Sequence, residues 1–139
     1  MKAKVVWQND LTFIGSSESG FEVRLDSIKE VGGNDSGLRP MEMFAIGIAG
    51  CTAMDVMSIL KKKRLDVTGF EVIVYGARAV EHPKKFTDIV IEYVVTGNGI
   101  DETSVERAVQ LSEERYCAAI GTIRGNVNLS HKIIVKSNI

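Results

Sequence analysis

The sequence of 139 residues predicts one domain with an α+β fold. Three observations support this class. Segments near both ends alternate apolar with polar residues, a long and almost wholly apolar helix is indicated in between, and a second helix carries a single apolar stripe. We expect the two helices to pack against antiparallel sheet. Because the length leaves no room for a second independent core, residues 1–139 are interpreted as one domain.

The N-terminal segment predicts a small antiparallel sheet. Alternating patterns occur at residues 4–7 and 21–26, and the glycines and serines of residues 15–20 indicate a turn between them. The clearest loop is residues 31–37, because glycine, asparagine and aspartate favour turns. We expect the first sheet to end at this loop.

A long central helix is predicted to begin at Pro40, since the fixed φ and missing N–H of proline fit the first helical position. From Met41 to Val56 nearly every residue is apolar or small, so this helix is expected to be buried on most sides. The basic run at residues 61–64 complements the negative end of the helix dipole. That run is either a solvated helix end or a phosphate-binding patch.

The C-terminal part predicts two strands, a helix and a closing strand. Residues 70–79 and 86–96 have strand character, and Asp101 is a suitable N-cap for an amphipathic helix that ends near Cys117. Residues 127–135 alternate as a last strand. We find no internal repeat.

Composition restricts the function classes. Lys and Arg number 17 against 18 Asp and Glu, a net charge of −1 that provides no basic surface for nucleic acid or an anionic membrane. We identify neither an apolar run approaching the ~20 residues of a membrane span nor a signal-peptide core, so a cytoplasmic location is predicted. The two cysteines are too few for a secreted disulfide scaffold and lack zinc-site spacing.

Cys51 and Cys117 are therefore considered as thiols. Cys51 lies in the central helix between small residues that would let a ligand approach, although buried cysteines also serve as plain core residues. Cys117 follows the polar residues 113–116, where a core role is less natural. A bridge between them requires Cα atoms within roughly 7 Å, a distance that sequence does not provide.

Two carboxylates on the same helix are candidate site residues. Asp55 lies one turn after Cys51, where it either acts on the thiol or is a structural acceptor. A carboxylate raises the pKa of a neighbouring thiol unless a cation pairs with it or it orients a donor. Glu42 lies in the first turn, where it stabilises the helix dipole or takes part in the site.

The histidines provide weaker signals. His131 lies on the apolar face of the last strand, as a core histidine or as the base of a cysteine hydrolase, and His82 lies in a turn. Without a third suitable ligand near either, no metal site is predicted.

Three segments together resemble a known family. They are Pro40-Met41-Glu42-Met43-Phe44-Ala45, then residues 49–56 around Cys51, and finally Arg115-Tyr116-Cys117. This pattern is similar to the OsmC/Ohr family, which includes organic hydroperoxide resistance proteins. The resemblance covers nearly the whole chain and implies an OsmC-like fold, with antiparallel sheets wrapped around two central helices in an intertwined homodimer.

The resemblance also implies a chemistry. Cys51 would attack the peroxide and Cys117 would resolve the resulting sulfenic acid, with Glu42 and Asp55 as further site residues. An external dithiol would reduce the disulfide, and no metal or organic cofactor is implied. Apolar residues crowd the helix that carries Cys51, so small organic hydroperoxides are the predicted substrates.

The chain departs from the best-characterised hydroperoxidases in the residues that activate the thiol. Residues 15–20 contain no arginine, and Met41 follows Pro40 where those proteins have glutamate. This is the pattern of a divergent OsmC-like branch, in which Arg39, Arg115 or Arg124 could supply the cation. The alternatives are a non-enzymatic redox-sensitive or ligand-binding dimer and, more remotely, a hydrolase that uses His131.

Overall fold

The computed structural model of the chain describes residues 1–138. Contacts within the chain form two compact units, Met1–Phe44 and Ala45–Ile139, which are described in turn. The central helix begins in the first unit and continues through the second. The interpretation of the whole chain as one domain stays a prediction.

The first unit contains a three-stranded antiparallel sheet in the order β1-β2-β3. The strands are β1 (Ala3–Asn9), β2 (Thr12–Ser17) and β3 (Glu22–Leu25). The predicted antiparallel sheet is therefore confirmed, with one correction: residues that the glycine and serine pattern assigned to a turn belong in part to β2. A 3-10 turn, Lys29–Val31, begins the connection to the central helix.

A buried carboxylate organises the loop after β3. Asp26 accepts hydrogen bonds from the Thr12 hydroxyl at 3.1 Å, the Ser27 amide at 2.7 Å and the Asn34 amide, and from both the amide and the hydroxyl of Ser36. The hydroxyl of Ser36, together with these amides, holds the pKa of Asp26 well below its usual value despite the opposing effect of burial. The loop is thus fastened to β2 through one ionised side chain.

The second unit combines a mixed sheet with helices. Its elements are the continuation of α1 (Pro40–Lys62), then β4 (Asp66–Arg78), β5 (Phe86–Asn98), α2 (Glu102–Leu111), a π-helical turn (Ser112–Tyr116), α3 (Ala118–Ile123) and β6 (Asn128–Ser137). As predicted, α1 begins at Pro40, and the Asp101 carboxylate caps α2 by accepting from the Ser104 amide at 2.8 Å. The short helix α3 was not predicted.

The last strand corrects the expectation of antiparallel pairing. β5 pairs antiparallel with β4 but parallel with β6, giving the order β4-β5-β6. A parallel neighbour requires a long crossover connection, which α2, the π-helical turn and α3 supply between β5 and β6. The alternation in β6 is the same in either direction, so the sequence pattern contained no information on this choice.

The core of the second unit forms where β5 meets α1 and the later helices. Alternate β5 side chains are buried, as the pattern predicted, and so is one face of α1 at four-residue spacing. The buried residues are Ile89, Ile91, Tyr93 and Val95 from β5, Ile48, Thr52, Val56 and Leu60 from α1, Val105, Ala108 and Val109 from α2, and Cys117, Ile120 and Ile123 near α3. This packing carries the first cysteine toward the second.

The remaining surface of α1 is not buried within one chain. Ile46 is 50% exposed and Met54 is 77% exposed, so burial on most sides would require a cover that a single chain does not provide. Contrary to the prediction that no apolar run approaches a membrane span, α1 has 23 residues and is long and apolar enough to pass as one by length and composition. Core helices of proteins that enter no membrane satisfy the same length and composition.

Candidate functional site

The two cysteines, 66 positions apart in the sequence, meet in the second unit. Cys51 lies midway along α1 and is half-buried, whereas Cys117 lies between the π-helical turn and α3 and is 5% exposed. Both thiols are free, and the Cys51 side chain is close enough to the Cys117 thiol to contribute to raising its pKa. The fold thus brings together the pair that the sequence singled out.

The environment of Cys117 favours the protonated thiol. Burial raises the pKa of Cys117 to about 11, opposed by the Ile120 amide, which donates to the sulfur at 3.4 Å. The neighbouring Cys51 adds a further upward contribution. At neutral pH the Cys117 side chain is therefore a neutral thiol, and the two cysteines differ in both exposure and electrostatic surroundings.

The π-helical turn determines where Cys117 lies. The Cys117 amide donates to the Ser112 carbonyl at 2.8 Å, five residues back, so one extra residue is accommodated before α3. This turn also holds Ser112 and Glu113, whose side chains face the core and β6. The sequence pattern predicted an ordinary α-helix up to Cys117. Residues 112–116 instead form the π-helical turn, and Cys117 therefore lies just after the end of the helical segment.

Asp55 is tied to hydroxyl groups rather than to a cation. The Ser112 hydroxyl donates to the Asp55 carboxylate at 3.0 Å, and Ser112 in turn lies 2.7 Å from the Thr52 hydroxyl. Thr52 directly follows Cys51 in α1, and Asp55 lies one turn after Cys51 on the same side of the helix. Asp55, which the sequence placed near Cys51 along α1, is thus part of a network of hydrogen bonds with Ser112 and Thr52.

The network continues across the core through Tyr93. Its hydroxyl lies 2.9 Å from the Thr52 hydroxyl and donates to the Glu113 carboxylate at 3.0 Å. Burial raises the pKa of Tyr93 far above its usual value, and the charges of Glu113 and Cys117 add to this effect. The phenol therefore remains protonated, and its electrostatic coupling to Cys117 indicates that the network adjoins the thiol pair.

His131 closes the network at its other end. Nδ1 lies 2.9 Å from one Glu113 oxygen and Nε2 lies 3.3 Å from a Glu106 oxygen. Burial lowers the pKa of His131, but the charges and hydrogen bonds of Glu113 and Glu106 outweigh it, so the net shift is upward. A histidine with a carboxylate at each ring nitrogen favours an imidazolium, which argues against its use as the base of a hydrolase.

Sequence reasoning missed Thr52, Tyr93, Ser112 and Glu113 as site residues. A signal existed, because Thr52 interrupts an otherwise apolar helix and Ser112 lies on the apolar stripe of the second helix. A hydroxyl buried in an apolar face needs a hydrogen-bond partner. The partners belong to distant segments, so the pattern could not identify them.

Glu42 has a defined structural role within the first unit. Its carboxylate accepts a hydrogen bond from the Arg39 amide at 2.8 Å, the arrangement in which the third residue of a helix caps the residue before its start. The Arg39 guanidinium pairs with the Asp35 carboxylate and donates to the Gly37 carbonyl at 3.0 Å. A catalytic role for Glu42 stays a prediction.

The other two candidate arginines are engaged within the second unit. The Arg115 guanidinium lies 6.0 Å from the centre of the Tyr116 ring, and Arg124 donates to the Glu113 carbonyl. Neither contact involves Cys51. Across residues 1–138, no cluster of three or more His, Cys, Asp or Glu side chains is arranged to hold a metal ion.

Comparison with known proteins gives consistent results. The sequence matches the family described as OsmC-like protein over residues 32–132. It is 40% identical over 131 residues to Protein YhfA of Escherichia coli (strain K12), covering 94% of this chain and 95% of that protein. It is 23% identical to an organic hydroperoxide resistance protein of Xanthomonas axonopodis pv. citri, covering 83% and 80%. The fold is similar to a hypothetical protein from Aquifex aeolicus, with a TM-score of 0.86, 31% identity and coverage of 99% and 97%.

Proposed function

Because the chain belongs to the OsmC-like family and is related at a distance to organic hydroperoxide resistance proteins, we propose that it is a thiol-dependent peroxidase for organic hydroperoxides. The observation that carries this proposal is the meeting of Cys51 and Cys117, two free thiols within reach of each other. A role in defence against oxidative stress is part of the proposal. No metal or organic cofactor takes part in the proposed reaction.

The proposed reaction has two steps on the protein. The Cys51 thiolate attacks the terminal oxygen of ROOH, the O–O bond breaks, and Cys51 becomes a sulfenic acid while RO⁻ takes a proton to give ROH. The Cys117 thiol then attacks the Cys51 sulfur, which forms the disulfide and releases water. An external dithiol returns both cysteines to thiols by exchange.

Exposure supports this division of roles. Cys51 is half-buried and thus open to a small molecule, whereas Cys117 is almost completely buried and protonated at neutral pH. A buried neutral thiol is a poor first nucleophile, because the thiolate is the reactive form. It is well suited to wait beside Cys51 until a sulfenic acid forms there.

The surroundings of Cys51 along α1 support an apolar substrate. Its neighbours in the helix are small or apolar residues, with Met54 exposed on the same element. Burying a methylene contributes about 0.8 kcal/mol, so four carbons contribute about 3 kcal/mol, or about a hundredfold in kcat/KM if the gain reaches the transition state. Hydrogen peroxide has no apolar surface and gains nothing from such a contact.

The test is consumption of peroxide by the reduced protein with a dithiol reductant. We expect tert-butyl and cumene hydroperoxide to be reduced about a hundredfold more efficiently than hydrogen peroxide. Cys51→Ser should be inactive, and Cys117→Ser should accumulate over-oxidised Cys51, seen by mass spectrometry. Equal efficiency for all three peroxides would remove the apolar-substrate argument, and no consumption above the rate of a free thiol would reject the peroxidase.

Assembly as an intertwined homodimer is a further part of the proposal. Two observations support it: the exposed apolar surface of α1 and a groove of about 640 Å³ lined by residues that include Met54, Met57 and Phe70. Sedimentation at micromolar concentration should give a dimer, and Met54→Glu should weaken it. Val80→Glu, at an exposed apolar residue in a loop, is the matched control. A wild-type monomer at every concentration would reject the dimer.

A non-enzymatic redox-sensitive or ligand-binding role is the second candidate. It is favoured by the contacts of Glu42 and Arg39: Glu42 caps the start of α1, and Arg39 pairs with Asp35. The described contacts of Cys51 therefore include no arginine–glutamate pair of the kind that activates the thiol in the best-characterised hydroperoxidases. The peroxide assay separates the two candidates. A disulfide that forms at the rate of an unactivated thiol, without turnover, would support the second one.

A further inference from the structure

A hydrogen-bond chain in the second unit contains fewer protons than it has places for. Between the carboxylates of Asp55 and Glu113 lie the hydroxyls of Ser112, Thr52 and Tyr93, joined by four contacts of 3.0, 2.7, 2.9 and 3.0 Å. Each contact needs one hydrogen, and three hydroxyls supply three. The three hydroxyl hydrogens therefore leave one of the four contacts without a proton, and the chain has a place for one more.

The direction of two bonds locates the gap. Ser112 donates to Asp55 and Tyr93 donates to Glu113, so each of these hydroxyls has used its only hydrogen. Thr52 can donate to Ser112 or to Tyr93, but not to both. An added proton at either end lets the hydroxyls reorient so that all four contacts become hydrogen bonds.

This chain lies beside the thiol pair. Thr52 directly follows Cys51, and Asp55 lies one turn after Cys51 on the same face of α1. At the other side of the core, Tyr93 is within electrostatic range of Cys117. The chain therefore lies next to Cys51 along α1, and Tyr93 is close enough to Cys117 to feel its charge; its hydroxyls are buried.

We propose that the chain from Asp55 to Glu113 stores the proton of the thiol reaction: it accepts the proton of Cys51 when the thiolate forms and returns it to the alkoxide. This inference rests on the proposed function. Thr52, Ser112 and Tyr93 are positioning residues in this scheme, since they act by carrying the proton rather than by touching the peroxide.

The steps balance in atoms and charge. Cys51–SH gives its proton to the chain and becomes a thiolate; the thiolate attacks ROOH and becomes Cys51–SOH, with RO⁻ released; RO⁻ takes the stored proton and leaves as ROH. The chain ends each turnover with three hydrogens, as it began. No proton has to enter from solvent during the attack.

Several charged and titratable groups surround the chain and would contribute to its pH dependence. His131 of β6 faces Glu113 and Glu106, and Arg124 donates to the Glu113 carbonyl. The groups to be considered are Cys51 and Asp55 from α1, Tyr93 from β5, Glu106 from α2, Glu113 and Cys117 around the π-helical turn, Arg124 after α3, and His131 from β6.

Thr52→Val removes the hydroxyl whose two contacts share one hydrogen, with little change in side-chain shape. Ser112 still donates to Asp55 and Tyr93 still donates to Glu113, so two hydrogens serve two contacts and no place remains for a third. Thr52→Ser keeps the hydroxyl and is the conservative variant. Thr103→Val, at an exposed threonine of α2, controls for the substitution itself. Ser112→Ala interrupts the chain at a second position, should Thr52→Val fold poorly.

The primary readout requires no peroxide. The rate at which iodoacetamide alkylates Cys51, located by mass spectrometry across a pH series, reports the thiolate. In Thr52→Val and Ser112→Ala we expect this rate at pH 7 to fall by about tenfold or more, with the inflection moved to higher pH. Thr52→Ser and Thr103→Val should keep the wild-type profile. An unchanged profile in both Thr52→Val and Ser112→Ala would overturn the inference.

Single-turnover oxidation by tert-butyl hydroperoxide tests the return of the proton. The rate in Thr52→Val should fall and become dependent on the concentration of a small buffer acid such as imidazole, whereas the wild-type rate should not depend on it. A Thr52→Val rate that is as high as wild type and independent of buffer would overturn the return step. A shifted alkylation profile in a protein that consumes no peroxide would instead reject the proposed function and support proton uptake by the chain.

Discussion

Raising the pH should accelerate the step in which Cys117 closes the disulfide. Burial raises the pKa of Cys117 to about 11, so at pH 7 only about one thiol in ten thousand is ionised. At pH 9 the fraction is about one in a hundred. Because the thiolate is the attacking form, disulfide formation from the Cys51 sulfenic acid should become about a hundredfold faster between these two pH values.

The assay must isolate this second step. Reduced protein is mixed with excess tert-butyl hydroperoxide, quenched with acid at successive times and analysed by mass spectrometry for the loss of two hydrogens. The resolving step is the one whose rate does not depend on peroxide concentration. Cys117→Ser should give no intramolecular disulfide at either pH, and its sulfenic acid should over-oxidise instead.

A rate that changed less than about threefold between pH 7 and pH 9 would refute this reasoning. It would mean that the Cys117 thiol is already ionised, or is deprotonated by a base during the step, in spite of its burial. Loss of disulfide formation at high pH would be equally contrary, since the sign of the burial effect requires an increase.

Three other predictions concern stability. Leu60→Ala, at a wholly buried position of α1, should lower the free energy of unfolding by about 2–5 kcal/mol. Met54→Ala, at an exposed position of the same helix, should lower the free energy of unfolding of the monomer much less. Urea denaturation measures both changes. Asp26→Asn should destabilise at neutral pH, and because the folded pKa of Asp26 is lowered, its difference from wild type should shrink as pH falls below about 4. For His131→Gln the pH dependence has the opposite sign, because the folded pKa of His131 is raised. The variant should be less stable than wild type by the largest amount below about pH 6.5, and the difference should disappear as pH rises through the folded pKa.

Elements with a strong local signal were predicted well. Pro40 marks the first residue of α1, Asp101 caps α2, and the alternation in β5 identifies the buried face that contains Ile89 and Tyr93. Each of these features depends on residues a few positions apart. The physical causes, a fixed φ, a capping carboxylate and a two-residue repeat, are therefore contained in a short window of sequence.

Features that depend on pairing between distant segments were not predicted. The direction of β6 beside β5 depends on a crossover of about thirty residues, and a strand pattern is the same in both directions. The π-helical turn depends on one extra residue before Cys117, which no periodicity over five residues can reveal. The contact between Cys51 and Cys117 was expected only from resemblance to a family, because residue types and spacing do not determine it.

The polar network lies between these two cases. A threonine in the apolar face of α1 and a serine in the apolar stripe of the second helix would each cost roughly 2–7 kcal/mol if buried without a partner, so each indicates that a partner exists. The sequence can thus predict that Thr52 and Ser112 are hydrogen-bonded, but not that they bond to each other, 60 residues apart, or to Tyr93. Once the fold supplies those partners, the number of hydrogens becomes a property of the set: three hydroxyls between two carboxylates leave one contact without a proton. The missing hydrogen cannot be inferred from α1 or from the π-helical turn alone, because it depends on hydroxyls and carboxylates that only the folded core brings together.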